Sequence, residues 1–431
     1  MKTIISRLKG DKVIWALVAL LSLFSFMPVF SASSNLAYVG QGTGNTFGYL
    51  IKHLVHILIG FGFIFYVHKV PFNYHKKISW FLLPLIWILL LYTMFFGVEI
   101  GSAKRWVEVV GISFQPSTAA FLILMVFVAR YLAKERLEAI TFKSSILELW
   151  TPVGITLLLI LPANFSTAAF MFVMVIMLVF IGKYPLKYLS LILLFGVMFF
   201  ASFVGTAKLF KAVNPDNVPS LFQRVETWEK RITRFTDDNI QDPDEVYQIE
   251  RAKTAIATGG IYGLGPGKSV QKNFLPQSSS DFIFAIIVEE FGLVGGVVIL
   301  GVYLLLLFRL VVASHKSSTM FGKLLVIGLG FPIVFQAFVN MGVAVELLPT
   351  TGQTLPLISS GGSSIWVTCI SIAIILNVTK KDEEIAEEIA DNEKREVALQ
   401  KLIDKQLEED AKEDSEELEE EVNPINAVLN K

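Results

Sequence analysis

The chain has 431 residues, 53% of them hydrophobic, and a mean hydropathy of +0.59; soluble domains carry an apolar share of roughly 45–50%. Its 37 basic and 38 acidic side chains nearly cancel, so no basic excess marks a nucleic-acid partner. A single cysteine, Cys369, excludes an intramolecular disulfide and any cysteine-based metal site.

Apolar runs near the ~20 residues that cross a bilayer recur at 13–31, 46–69, 78–98, 117–133, 150–163, 166–182, 185–207, 281–309, 321–345 and 358–379. The expectation is an all-α polytopic membrane protein of ten spans over 1–379, with an acidic tail over 380–431. The first run follows Lys2, Arg7, Lys9 and Lys12. A cleaved signal peptide is the competing reading, and Ser31-Ala32-Ser33 would suit cleavage. The run nevertheless exceeds the ~7–15 residues of a signal core, which favours a retained span. The fifth and sixth spans are separated only by the Ala163-Asn164-Phe165 corner.

Lysine and arginine in the short loops set orientation. One side collects the N-terminus, Lys69, Lys76, Lys77, Arg130, Lys134, Arg136, Lys143, Lys183, Lys187, Arg309, Lys316 and Lys323. The opposing short loops carry Lys104 and Arg105. Both termini are therefore expected in the cytoplasm, with the loops near 40, 105, 164, 207–280 and 350 outside.

The outer loop over 208–280 is too long for a plain connection. In it Leu221, Val225, Trp228, Ile232 and Phe235 share one helical face. That suits a helix lying in the headgroup layer or one packed on the protein's outer surface. Tyr247 to Thr258 reads as helical, and GGIYGLGPGKS at 259–269 as a flexible glycine-rich turn. It fits no Walker pattern. After Lys380, Ile385, Ile389, Leu399, Ile403 and Leu407 lie among many charges, as a charged helix or an interaction tail.

Asp281 stands where a polar loop enters the eighth span. Ser278-Ser279-Ser280-Asp281 matches a capping box, so Asp281 reads either as a helix cap or as a general base. Glu289 and Glu290 follow about 12–13 Å further along a helix. They line a wet cavity, pair inside the bundle, or relay protons in a transporter. Lys104 and Arg105 beside Trp106 suit an anionic headgroup or pyrophosphate, or an interfacial anchor. In Leu348 to Ser364, LPTTGQTLPLISSGGSS, proline and glycine at membrane depth imply broken helix bordering a cavity. Its helix start, with Ser359, Gly361, Gly362 and Ser363, has backbone N–H groups suited to a phosphate. No HExxH, Walker, Rossmann or Ser-His-Asp pattern occurs, and five scattered histidines outline no metal site.

NFLPQSSSDFIFAIIVEEFG resembles the LPExHTDFIFAxxxEExG signature of the SEDS family (shape, elongation, division and sporulation). GSAKRWVEVVGISFQPS, YQIERAKTAIATGGIYGLGPGKSVQK, Glu226-Thr227-Trp228 with Arg231 and Phe235, and LPTTGQTLPLISSGGSS agree in the same order. The resemblance implies ten spans with cytoplasmic ends and a large extracytoplasmic loop between spans seven and eight. It further implies polymerisation of lipid II, the undecaprenyl-pyrophosphate-linked disaccharide pentapeptide, with Asp281 at the catalytic position. Lys104, Arg105, Lys268 and Lys272, with a divalent cation such as Mg or Mn, are candidates to meet the departing pyrophosphate. A class B penicillin-binding transpeptidase and other division proteins are the implied partners. GQTLP and the long tail look more like the division branch, FtsW, than the elongation branch, RodA. Three departures stand out: Thr118 where a glutamate is common, Asn164 where an aspartate is common, and Gln277 and Ser279 in the Asp281 motif. A lipid II flippase and a non-catalytic division scaffold are the rival readings.

Overall fold

The computed structural model describes residues 9–39, 46–99, 104–109, 112–134, 140–214, 243–380, 389–390, 392–408 and 410–412. Gly10–Thr379 form one compact unit, and Met1–Lys9 with Lys380–Lys431 form another. In the second unit residues 392–408 are helical and exposed. The proposed stripe from Leu221 to Phe235 lies outside the described residues.

The membrane unit begins with α1 (Lys12–Phe24) and α2 (Phe26–Val39), which together make the first span. Asp11 starts α1 by accepting from the Val13 and Ile14 amides at 2.9 and 3.2 Å, and it also pairs with Arg309. The chain continues through α3 (Thr46–Val67), α4 (Tyr74–Phe96), α5 (Pro116–Lys134), α6 (Phe142–Ile160), α7 (Phe165–Ile181) and α8 (Leu186–Val213). After the long loop come α9 (Pro243–Gly259), α10 (Ile283–Lys316), α11 (Met320–Ala344) and α12 (Gly362–Val378).

Among the described residues, eight helices are long and apolar enough to cross a membrane, and α7 and α12 are shorter apolar helices. These occupy, in order, the ten expected runs. At 17 residues, α7 and α12 reach about 25 Å, less than the ~30 Å hydrocarbon core. For α12 the deficit is met by the irregular segment before it, which turns at 356–358 and whose Leu355, Leu357 and Ile358 are buried. Irregular backbone at that depth is tolerated because protein surrounds it. α5, α11 and α12 form the centre of the bundle, whereas α8 buries just Leu189 and Ala207.

The sequence reading missed several local features. Between α4 and α5 the chain forms a small antiparallel sheet, β1 (Val98–Glu99), β2 (Lys104–Val109) and β3 (Ile112–Phe114), in the order β1-β2-β3. The fifth span starts eight residues early, at Phe142, through a π-helical stretch over Ile146–Trp150. Lys143 and Glu148 had hidden it by breaking the apolar run. At the corner before α7, the Asn164 side chain caps the helix by accepting from the Thr167 amide at 3.1 Å.

The glycine-rich turn is not a flexible connector. α10 breaks at Gly292 (φ 70°, ψ −174°), so the amides of Leu293 and Val294 leave the carbonyls of Glu289 and Glu290. The turn replaces both bonds with four. Leu264 and Gly265 donate to the Glu289 and Glu290 carbonyls at 2.9 Å each. Leu293 and Val294 donate to Gly260 and Ile261 at 2.8 and 3.2 Å. Such close backbone contact requires glycine at the crossing: a Cβ at Gly292 would lie 2.2 Å from the Ile261 carbonyl oxygen, and one at Gly263 2.2 Å from that of Glu290.

Candidate active site

Asp281 does not cap α10. The helix begins at Ile283 with no side-chain cap, and Ser278 donates instead to the Ala32 carbonyl at 3.5 Å. The turn before α10 is held by its neighbours. Ser360 donates to the Ser279 carbonyl through both its amide and its hydroxyl, at 2.9 Å each. The Ser359 hydroxyl donates to Ser280 at 2.6 Å and accepts from the Leu355 amide at 2.7 Å. From α11, the Asn340 amide nitrogen donates to the carbonyls of Asp281 and Gln353, both at 2.7 Å. Asp281 is itself partly exposed. A Cβ at Gly352 would sit 3.6 Å from its Oδ2, so the carboxylate lies against bare glycine backbone.

Beside this turn is a cavity of about 540 Å³. Ser279, Ser360, Gly361, Gly362 and Trp366 form one wall, Trp106 and Ser113 of the small sheet another. The third comes from α3, with Tyr49, Lys52, His53 and His56. α12 opens onto the cavity without a side-chain cap, its N-terminal residues being Gly361 and Gly362. An uncapped helix start presents backbone N–H groups and positive dipole to an anion. The His56 ring stacks on Trp366 with centroids 5.4 Å apart. His56 Nδ1 lies 2.5 Å from the Lys52 carbonyl; a carbonyl accepts only, so Nδ1 carries the hydrogen and Nε2 is left toward Gly362. His53 is buried against the Ser25 hydroxyl at 2.8 Å.

The predicted residues therefore separate into groups. Trp106, Gly361 and Gly362 line the cavity next to the Asp281 turn. Ser359 and Ser363 are buried and bonded to backbone, Ser363 accepting from the Gln115 amide at 3.2 Å. Lys104 and Arg105 border a different, narrow crevice with Thr93, Pro116, Ser117 and Asn164. Lys268 is exposed on the glycine-rich turn, while Lys272 donates to the Gly267 carbonyl at 2.8 Å and to Ser31 at 3.2 Å.

Glu289 and Glu290 are 0% and 1% exposed. Glu289 accepts from the amides of Val270 and Gln271 at 3.0 and 3.2 Å, and from the Ser269 hydroxyl. Glu290 accepts from the Ser31 hydroxyl and from the Ser269 amide at 3.3 Å. Both carboxylates thus fasten the glycine-rich turn and the first span to α10. Among the described residues no group of three or more His, Cys, Asp or Glu could hold a metal ion.

Sequence reasoning missed the α3 wall. Its signal was Lys52, His53 and His56 inside an otherwise apolar run, since ionisable residues within a span mark function by default.

The sequence model of the FtsW, RodA and SpoVE cell cycle proteins matches residues 11–384. A probable peptidoglycan glycosyltransferase FtsW of Saccharophagus degradans is 33% identical over 375 residues, covering 85% of this chain and 92% of that protein. Another with the same description, from Nitrosomonas europaea, is 30% identical over 381 residues, covering 85% and 92%. A chain of a peptidoglycan synthase complex superposes with a TM-score of 0.65 at 24% identity, covering 86% of this chain and 97% of that one. The rod shape determining protein RodA of Thermus thermophilus gives 0.61 at 23% identity, covering 87% and 98%. Agreement along nearly the whole length, in sequence and in fold, places this chain in the FtsW/RodA/SpoVE family of cell cycle proteins.

Proposed function

We propose that this multi-pass membrane protein is a peptidoglycan glycosyltransferase that polymerises lipid II at the outer face of a bacterial plasma membrane, both termini being cytoplasmic. The curated relatives carry that activity in their names. Their designation FtsW favours septal synthesis over elongation. The observation that carries the mechanism is Asp281: a carboxylate at an outer helix mouth, braced through its backbone by Asn340 and its neighbours by Ser359 and Ser360, beside a cavity large enough for a sugar.

Asp281 removes the proton from the GlcNAc 4-hydroxyl of the acceptor lipid II. That oxygen forms a bond to the anomeric carbon of the lipid-linked MurNAc as the bond to the pyrophosphate oxygen breaks. One displacement inverts the anomeric centre and releases undecaprenyl pyrophosphate. The negative charge that develops there requires fixed positive partners. The α12 N-terminus and Lys52 are such groups on the cavity wall; Lys104 and Arg105 border a different crevice, and Lys268 and Lys272 lie at the glycine-rich turn. A Mg or Mn ion, if bound, would draw most of its ligands from the pyrophosphate and would add positive charge there. The other half of wall synthesis falls to a partner, and a class B penicillin-binding transpeptidase fits the likeness to a synthase complex. Glu289 and Glu290, engaged by the chain's own amides and hydroxyls, offer little support for a proton-relaying flippase.

The test is polymerisation of lipid II by the purified protein with its transpeptidase, alongside Asp281→Ala and Asp281→Asn. Glycan formation by the wild type and its loss in both variants are expected. Active variants would remove Asp281 as the base, and lipid flipping that depends on Glu289 would favour transport.

A further inference from the structure

At the opposite end of the bundle a second cavity, of about 430 Å³, lies between α4, α5 and α6. Trp80, Leu83, Pro84 and Trp87 of α4 form one side, Phe127, Arg130, Tyr131 and Lys134 of α5 the back, and Leu147, Glu148 and Pro152 of α6 the other side. No part of the proposed chemistry uses it. We propose that this groove binds one anionic glycerophospholipid of the cytoplasmic leaflet, its phosphate held by Arg130 and Lys134 and an acyl chain lying along Trp80, Leu83, Trp87 and Phe127.

Three observations converge. First, Arg130 is mismatched with its surroundings. Arg130 and Lys134 are four residues apart, on one helical face. Lys134 reaches Glu148 at 3.5 Å, and among the described residues no hydrogen bond or ion pair engages the Arg130 guanidinium. It is nevertheless only partly exposed, between a tryptophan-lined wall and α6. A guanidinium withdrawn from water calls for an anion, and its planar fork matches phosphate.

Second, the backbone is spread here. Pro84 has no N–H for the Trp80 carbonyl, and Pro152 none for that of Glu148. The π-helical stretch Ile146–Trp150 widens α6 at the same level, a distortion that recurs at functional sites. Trp150 turns away to donate to Tyr184 at 3.2 Å, and Trp87 ties α4 to α6 through Thr156 at 2.9 Å. The groove is therefore braced open at both levels.

Third, apart from Glu148, whose carboxylate pairs with Lys134, the remaining lining is apolar and aromatic, and Trp80 is 55% exposed at its rim. Tryptophan at that level suits the boundary between headgroups and chains. An occupant needs one anionic head and a hydrocarbon chain, and must enter sideways from the bilayer. Given the proposed orientation, the leaflet is the cytoplasmic one.

The full-length protein is placed in phosphatidylcholine nanodiscs containing increasing fractions of phosphatidylglycerol or phosphatidylcholine with brominated chains. Tryptophan fluorescence is compared with that of Trp80→Phe/Trp87→Phe, so that the difference reports the groove. The groove component is expected to be quenched at a mole fraction about fivefold lower for brominated phosphatidylglycerol, with Arg130→Gln removing that preference and Arg130→Lys keeping part of it. Equal quenching of the wild type by both lipids overturns the proposal, whether or not the variants fold. So does a groove that stays unquenched by either lipid once the transpeptidase partner is bound, which would assign it to a partner helix. Neither result depends on Asp281 or on polymerisation.

Discussion

Asn340 shows how a neutral side chain places a charged one. Its amide nitrogen has two hydrogens and meets two carbonyls, those of Asp281 and Gln353, so it pins the turn before α10 to the loop before α12. Losing it would let the Asp281 carboxylate drift, and about 1 Å of drift costs on the order of 100-fold in rate. Asn340→Ala is therefore expected to lower kcat for lipid II polymerisation about 10- to 100-fold with little change in KM, measured by single-turnover and steady-state assays. A comparable rise in KM instead would make Asn340 a substrate ligand. Glu289 has the opposite character: a buried carboxyl group whose hydrogen bonds hold the turn to α10. Glu289→Ala strands the Val270 and Gln271 amides and is expected to cost about 3 kcal/mol, seen as a lower Tm in detergent. Glu289→Gln keeps an acceptor and should lose less. Equal melting of the two variants would show that the amides find other partners.

At the scale of elements, α10 and the glycine-rich turn are a matched pair. Breaking a helix inside a bundle leaves backbone groups that hydrocarbon cannot satisfy. Here the turn from Gly260 to Gly265 satisfies them, and its own bends require positive φ at Gly260, Gly263 and Gly265. The same contact buries Glu289 and Glu290 beneath Ser269. Gly292→Ala adds a Cβ 2.2 Å from the Ile261 oxygen at a φ of 70°, and a clash with backbone cannot be relieved by a rotamer change. It is expected to destabilise the protein by several kcal/mol, read as reduced folded yield and a markedly lower Tm. Wild-type melting would mean that the break relaxes into continuous helix. Gly154, with nothing within 4 Å of an added Cβ, is the control, and Gly154→Ala should be nearly neutral.

For the whole molecule, the proposed reaction depends on sidedness, because its lipid-linked donor would have to meet Asp281 on the outer face. In a Cys369→Ser background, cysteines at Lys253 and Lys316 report the two ends of the bundle, both positions being exposed. A membrane-impermeant maleimide is expected to label Lys253→Cys in spheroplasts and Lys316→Cys after lysis alone. The reverse pattern would invert the bundle and remove the proposed reaction from the outer leaflet.

The sequence by itself determined where the apolar helices fall, their order, the expected sidedness and the motif around Asp281. Those depend on run length and loop charge, which are local quantities set by the bilayer rather than by any partner within the fold. It also held Lys52, His53 and His56 as polar residues in an apolar run, a signal that the sequence reading missed and that could not have said what they face. Only the tertiary structure decided that Trp106, His56 and Gly362 share a cavity with the Asp281 turn while Lys104 and Arg105 open elsewhere. The segments involved lie up to about three hundred residues apart, and no periodicity records such contacts. It also decided that Glu289 and Glu290 are fastened to the chain itself. A buried carboxylate becomes structural or reactive according to the donors that surround it, and those donors come from α2 and from the turn over 259–271, which meet α10 only in the folded protein.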